Sequence, residues 1–109
     1  MSIIVSILDT KSGMWIKPYE VLNTQVAIRG FVASFRASSN TPMLKDYPED
    51  YSLYLIARFN DEVPDEPTLP TPLETVGPTL ILSGEEASAM ADMLDKREQE
   101  RVRYKNSEA

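Results

Sequence analysis

The stretch YPEDYSLYLIARF, residues 47–59, decides how the rest of the chain is arranged. Tyr47-Pro48-Glu49-Asp50 reads as a rigid acidic turn, in which Pro48 fixes the approach and Glu49 or Asp50 satisfies backbone amides. From Tyr51 the pattern alternates with a period of two, the signature of a half-buried strand. Tyr51, Leu53, Leu55, Ala57 and Phe59 fall on one face and are expected to pack on a helix. Ser52, Tyr54, Ile56 and Arg58 fall on the other, expected to be partly wet.

Upstream, Ile3 to Leu8 is apolar at nearly every position, as in a strand covered on both faces. Asp9-Thr10-Lys11-Ser12-Gly13 is a turn, and Met14-Trp15-Ile16-Lys17 resumes extended chain until Pro18, which predicts a β-hairpin. Asn23 is placed to cap a helix. Ile28, Phe31, Val32 and Phe35 then recur at i, i+3, i+4 and i+7, with Gln25, Arg29, Ala33 and Arg36 roughly opposite. This helix is expected over 24–37, with Gly30 allowing close approach to a strand and a loop following from Ser38.

Downstream, five prolines between 61 and 78 predict an extended, mobile or edge-hugging loop. Thr79-Leu80-Ile81-Leu82 reads as a short fourth strand. Ser83 and Glu86 have capping-box spacing, and Ala87, Met90, Ala91 and Leu94 form the apolar stripe of a second helix. Beyond Leu94, Asp92–Lys96 and Glu98–Arg101 are spaced to pair along a projecting helix that frays after Val102. The expected architecture is α+β: a small antiparallel sheet of three to four strands, a helix packed on one face, and a charged C-terminal helix. Residues 1–82 form the α+β domain, including the proline-rich loop 61–78, and residues 83–109 form the C-terminal amphipathic helix and its frayed tail.

Composition narrows the chemistry. The 109 residues make one domain and include no cysteine and no histidine. A disulfide framework and a thiolate zinc site are excluded, and the usual general base is missing. Phosphate-binding glycine motifs are absent, and the acids around the central strand fit no calcium loop. No catalyst, metal site or cofactor is therefore expected; a Mg²⁺-dependent nuclease using the clustered acids is the least favoured reading. The apolar start is too short for a signal peptide or a membrane span, so a protein retained in the cell that makes it is expected, with no membrane partner. The net charge of −6 is uneven: about +3 over residues 1–45, −10 over 46–94 and +1 over 95–109. That balance opposes strong duplex binding but leaves room for a local basic surface.

The remaining candidate is a base-stacking and phosphate surface. Trp15 and Tyr54 supply flat rings on strands, and Lys17, Arg29, Arg36 and Arg58 supply cations. The competing reading buries Trp15 in the core and leaves the arginines solvated. The bases of the tail helix, interleaved with Glu98 and Glu100, read as an ordinary charged face.

Three stretches resemble a known family. Ile4-Val5-Ser6-Ile7-Leu8-Asp9-Thr10-Lys11 is similar to an I-F-S-I-x-D-x-K start, Ala27-Ile28-Arg29-Gly30-Phe31 to A-I-R-x-F, and Pro48-Glu49-Asp50-Tyr51-Ser52-Leu53 to P-E-D-Y-x-L, followed by Phe59 and Asp61. In order and spacing these resemble the small nonstructural protein of gokushoviruses, single-stranded DNA phages of the Microviridae. The C-terminal half departs from that pattern. The resemblance implies a protein of the host cell cytoplasm, made during infection, acting in genome replication or packaging and often described as DNA-binding, with no catalytic residues to transfer. Two functions follow as expectations. One is weak single-stranded DNA binding through Trp15, Lys17, Arg29, Arg36, Tyr54 and Arg58. The other is an adaptor that recruits a phage or host replication protein through the acidic loop or the C-terminal helix. Open sheet edges, with Met90, Met93 and Leu94, predict a homodimer.

Overall fold

The computed structural model describes residues 1–62 and 72–107. Its strands are β1 (Ser2–Asp9), β2 (Met14–Trp15), β3 (Tyr19–Val21), β4 (Tyr51–Phe59) and β5 (Leu73–Ser83). Its helices are α1 (Thr24–Ala33), the short α2 (Pro42–Asp46) and α3 (Gly84–Ser107), with a single 3₁₀ turn at Pro48–Asp50. The sheet is antiparallel throughout, in the order β2-β1-β4-β5, and β3 pairs with β1 on the same flank as β2. The α+β architecture expected from the sequence holds, with five strands.

The core lies between the sheet and the two longer helices. Val5, Ile7, Leu53 and Leu82 from the sheet meet Ala27, Phe31, Val32 and Phe35 from α1 and its C-terminal turn, and Ala87 and Ala91 from α3. Phe31 and Phe35 meet edge to face, centroids 5.1 Å apart, the arrangement that aromatic quadrupoles favour. The second face of the sheet carries no helix. Ser6, Leu8, Trp15, Ser52, Tyr54 and Leu80 stand on it by cross-strand register.

The local signals mostly did what their chemistry predicts. Asn23 caps α1, its Oδ1 accepting from the Val26 amide at 2.9 Å. Ser83 and Glu86 close a reciprocal cap on α3: the Glu86 amide donates to Ser83 Oγ at 3.2 Å, and Ser83 Oγ donates to Glu86 Oε1 at 3.0 Å. The β1–β2 hairpin turns through Gly13 at φ 70°, a left-handed conformation that costs glycine nothing. The amides of Lys11 and Ser12 donate to Asp9 Oδ1.

Several expectations are corrected. Strand β4 does not keep one alternation, because Ile56 is an extra residue opposite β1: Val5 faces Leu55, but Ile4 faces Ala57. Such a bulge switches the side that following residues occupy. Ala57 and Phe59 therefore move to the helix-free face, and Arg58 joins Ile3 on the helix-bearing one. The acid that ties down amides is Asp9; Asp50 contributes its carbonyl, which accepts from both Thr10 N and Thr10 Oγ1. Gly30 approaches no strand, since a Cβ there would meet nothing within 4 Å. Helix α1 ends at Ala33 and α2 interrupts the expected loop. Leu73 to Pro78, assigned to the proline-rich loop, belong to β5, while the rest of that expectation falls partly on residues 63–71, outside the described residues. Helix α3 runs to Ser107 with no break at Val102, and Glu98 pairs with Arg36 instead of Arg101.

Candidate nucleic-acid interface

The six residues singled out from the sequence occupy three separate places. Trp15 and Tyr54 come together on the helix-free face. Trp15 pairs with Leu8 across β2 and β1, and Tyr54 pairs with Ser6 across β4 and β1, which sets the rings diagonally opposite. Their centroids are 5.3 Å apart and their planes 84° from parallel. Trp15 keeps 44% of its surface exposed, so its ring is not sealed in the core. Behind the pair the Ser6 hydroxyl, which is buried, donates to the Ile16 carbonyl, and the Ile16 amide donates to the Ile7 carbonyl at 2.8 Å. These bonds clamp the Trp15–Ile16 segment to β1 and fix the indole. Leu80, half exposed, stands across from Tyr54 and extends the apolar surface. Lys17 follows in the exposed chain two residues beyond Trp15.

Arg29 and Arg36 lie on the other side of the molecule, in the helical layer. Arg36 is engaged: its Nε donates to Asp95 Oδ1 at 2.9 Å and its Nη2 to Glu98 Oε2 at 2.6 Å. Asp95 also accepts from the Ala37 amide at 3.0 Å. The Ala37 amide first, then Arg36, hold the Asp95 carboxyl below the usual carboxylate range. Arg29 is exposed beside a hollow of about 270 Å³ between α1 and α3, which Ile28, Val32, Met90 and Leu94 also line.

Arg58 stands apart from both groups. It is exposed, across from Ile3 on one side and Glu74 on the other. Trp15 lies level with Ser52 through Leu8, so Arg58 is six strand residues away, about 20 Å at the rise of a β-strand.

Sequence reasoning missed the contribution of α3. Arg97 and Arg101 line a second hollow, of about 230 Å³, that shares Arg36 and Leu94 with the first. Read alone, they look like part of an alternating charged face. Their spacing from Met90 and Leu94 (four, three, four) was the available signal, because it puts all four on one stripe.

Comparison with known proteins gives one result. A family model described as Phage ORF5 protein matches residues 2–86, well over half of the chain. The chain belongs to the Phage ORF5 protein family. It is thus a phage protein, and all five strands, α1 and the Trp15–Tyr54 pair lie inside the region shared with the ORF5 family. Nearly all of α3 lies beyond it, although Ala87 and Ala91 fill the same core. No curated protein and no solved structure matches the chain. Among the described residues no helix is long and apolar enough to cross a membrane, and no group of three acidic side chains converges as a metal site.

Proposed function

We propose that this ORF5-family protein is a nonstructural protein of a single-stranded DNA phage of the gokushovirus type, acting in genome replication or packaging in the host cytoplasm by weak binding of single-stranded DNA. The observation that carries the reading is the exposed Trp15 ring braced edge-on by Tyr54 on a sheet face without helices. Unpaired bases stack on such rings at about 1–3 kcal/mol per base, without sequence preference. The six-residue surface expected from the sequence contracts to Trp15, Tyr54 and Lys17. With Lys17 two residues along the chain as the nearest cation by sequence on that side, stacking is expected to dominate and the salt dependence to be shallow, about 0.7 in the log–log slope for each phosphate neutralised on a single strand.

Titration with oligothymidylate at low salt tests the reading directly. Binding quenches Trp15 fluorescence, is lost in Trp15→Ala, weakens in Tyr54→Ala and is unchanged in Arg29→Ala. Absence of quenching, or binding that survives Trp15→Ala, overturns it.

The adaptor reading is favoured by a different observation: α3 extends past the core, and Met93, Val102 and Tyr104 on it are exposed. In this reading α3 recruits a phage or host replication protein. Homodimerisation would use the outer edge of β5 together with the exposed Met93, leaving Met90 and Leu94 in the hollow between α1 and α3. Sedimentation of the full chain over a range of concentrations reports it.

A further inference from the structure

The two hollows between α1 and α3 form one surface with a consistent chemistry. Its floor is apolar: Met90 and Leu94 are 40% and 38% exposed, and Ile28 and Val32 lie beneath them. Its rim is mainly guanidinium: Arg29 on α1, and Arg97 and Arg101 on α3, all exposed, with the Glu98 carboxylate among them held by Arg36. No ion pair among the described residues engages any of these three, whereas Arg36 between them is neutralised by Asp95 and Glu98. Three available arginines around an apolar floor, in a chain of net charge −6, are a local reversal of sign.

We propose that this groove is a docking site for an acidic amphipathic helix of a partner protein. A helix laid in a groove places its apolar stripe on the floor and its flanking carboxylates on the rim. Arginine suits that rim because its planar fork binds carboxylates through two parallel bonds. Methionine suits the floor because an unbranched thioether adapts to the side chain that arrives. A nucleic-acid strand fits less well. Among the residues lining the groove none is aromatic, so bases find nothing to stack on, and the rings that could serve lie across the sheet. The proposal is independent of the DNA-binding reading, which uses the opposite face.

The probe is a fluorescein-labelled peptide of about five helical turns, with leucines at helical spacing on one face and glutamates on the other. It is titrated into the full-length protein by anisotropy. Saturable binding is expected at low salt, weakening as salt rises. Arg29→Glu with Arg101→Glu is expected to weaken it by about ten-fold or more, and Trp15→Ala to leave it unchanged. Circular dichroism checks that the double variant folds; Arg97→Glu alone gives the same readout if it does not. Absence of binding, or binding indifferent to charge reversal, overturns the proposal. So does oligothymidylate that competes for the groove and loses binding in the reversed variant, which assigns the surface to nucleic acid. Self-association abolished by the same reversal assigns it to a second copy and overturns the proposal equally.

Discussion

Arg36 and Asp95, fifty-nine positions apart in the chain, meet through a 2.9 Å hydrogen bond that joins the end of α1 to the middle of α3. The second Asp95 oxygen takes the Ala37 amide, so one carboxylate closes the C-terminal turn of one helix and fastens the next.

The sign of the pH dependence follows from this geometry. Asp95 has a folded-state pKa below its unfolded value. Its stabilisation is therefore fully present above the unfolded carboxylate pKa of about 3.9 and is lost as pH falls through the lower, folded value. Thermal melts between neutral pH and pH of about 3 should show the wild type losing part of its advantage over Asp95→Asn at the acid end. A constant difference in melting temperature across that range would contradict the linkage.

Two glycines in helices have opposite expectations. Gly30→Ala adds a methyl group to open space in a helix interior, and should stabilise by about 0.5–1 kcal/mol. Gly84→Ala would set its Cβ 2.5 Å from the Tyr51 carbonyl oxygen and closer still to that of Pro48. Both obstacles are backbone, so the start of α3 must shift away from the acidic turn, and the variant should unfold at far lower denaturant. Urea melts of the pair give the comparison.

Leu53 is fully buried at the centre of the core cluster. Leu53→Ala should cost about 2–5 kcal/mol, combining lost transfer energy with a cavity that close-packed neighbours cannot fill. Tyr51, two residues earlier on the same side, titrates upward because it is buried and then because Asp9 and Asp50 are near. Its phenol should stay protonated above the ordinary tyrosine range in an ultraviolet titration.

The Trp15–Tyr54 contact should be measurable without any ligand. A double-mutant cycle with Trp15→Leu and Tyr54→Leu is expected to give a coupling of about 0.5–1.5 kcal/mol. Coupling near zero would mean that the rings are neighbours without being partners.

The legible parts of this molecule are those governed by local rules. The Asn23 and Ser83 caps, the Phe31–Val32–Phe35 stripe and the opening of β4 at Tyr51 each depend on residues within about two turns of one another, and each is in place. What the sequence hid depends on partners distant in the chain. Period-two alternation presumes a regular neighbour, so it cannot register that Ile56 is surplus to β1, and the faces assigned to Ala57, Arg58 and Phe59 were inverted. Arg36 has the look of a solvated cation until Asp95 arrives from the other end of the chain. For the candidate interface, Trp15 and Tyr54 were recognisable as rings on strands. Their separation from Arg29 and Arg58 was not, because it follows from which side of the sheet α1 packs on.

The bulge opposite Ile56 has a last consequence. At the same level β5 has surplus residues of its own: its register jumps from Thr79 opposite Leu55 to Thr75 opposite Ala57, four residues against two. The outer margin of the sheet is thus broken twice, here and again at Ile81, where Tyr54 faces Leu80 but Leu53 faces Leu82, and the other margin ends in strands of two and three residues. Margins so unlike and so interrupted give an incoming strand few consecutive backbone groups to pair with, which opposes head-to-tail growth of one sheet onto the next.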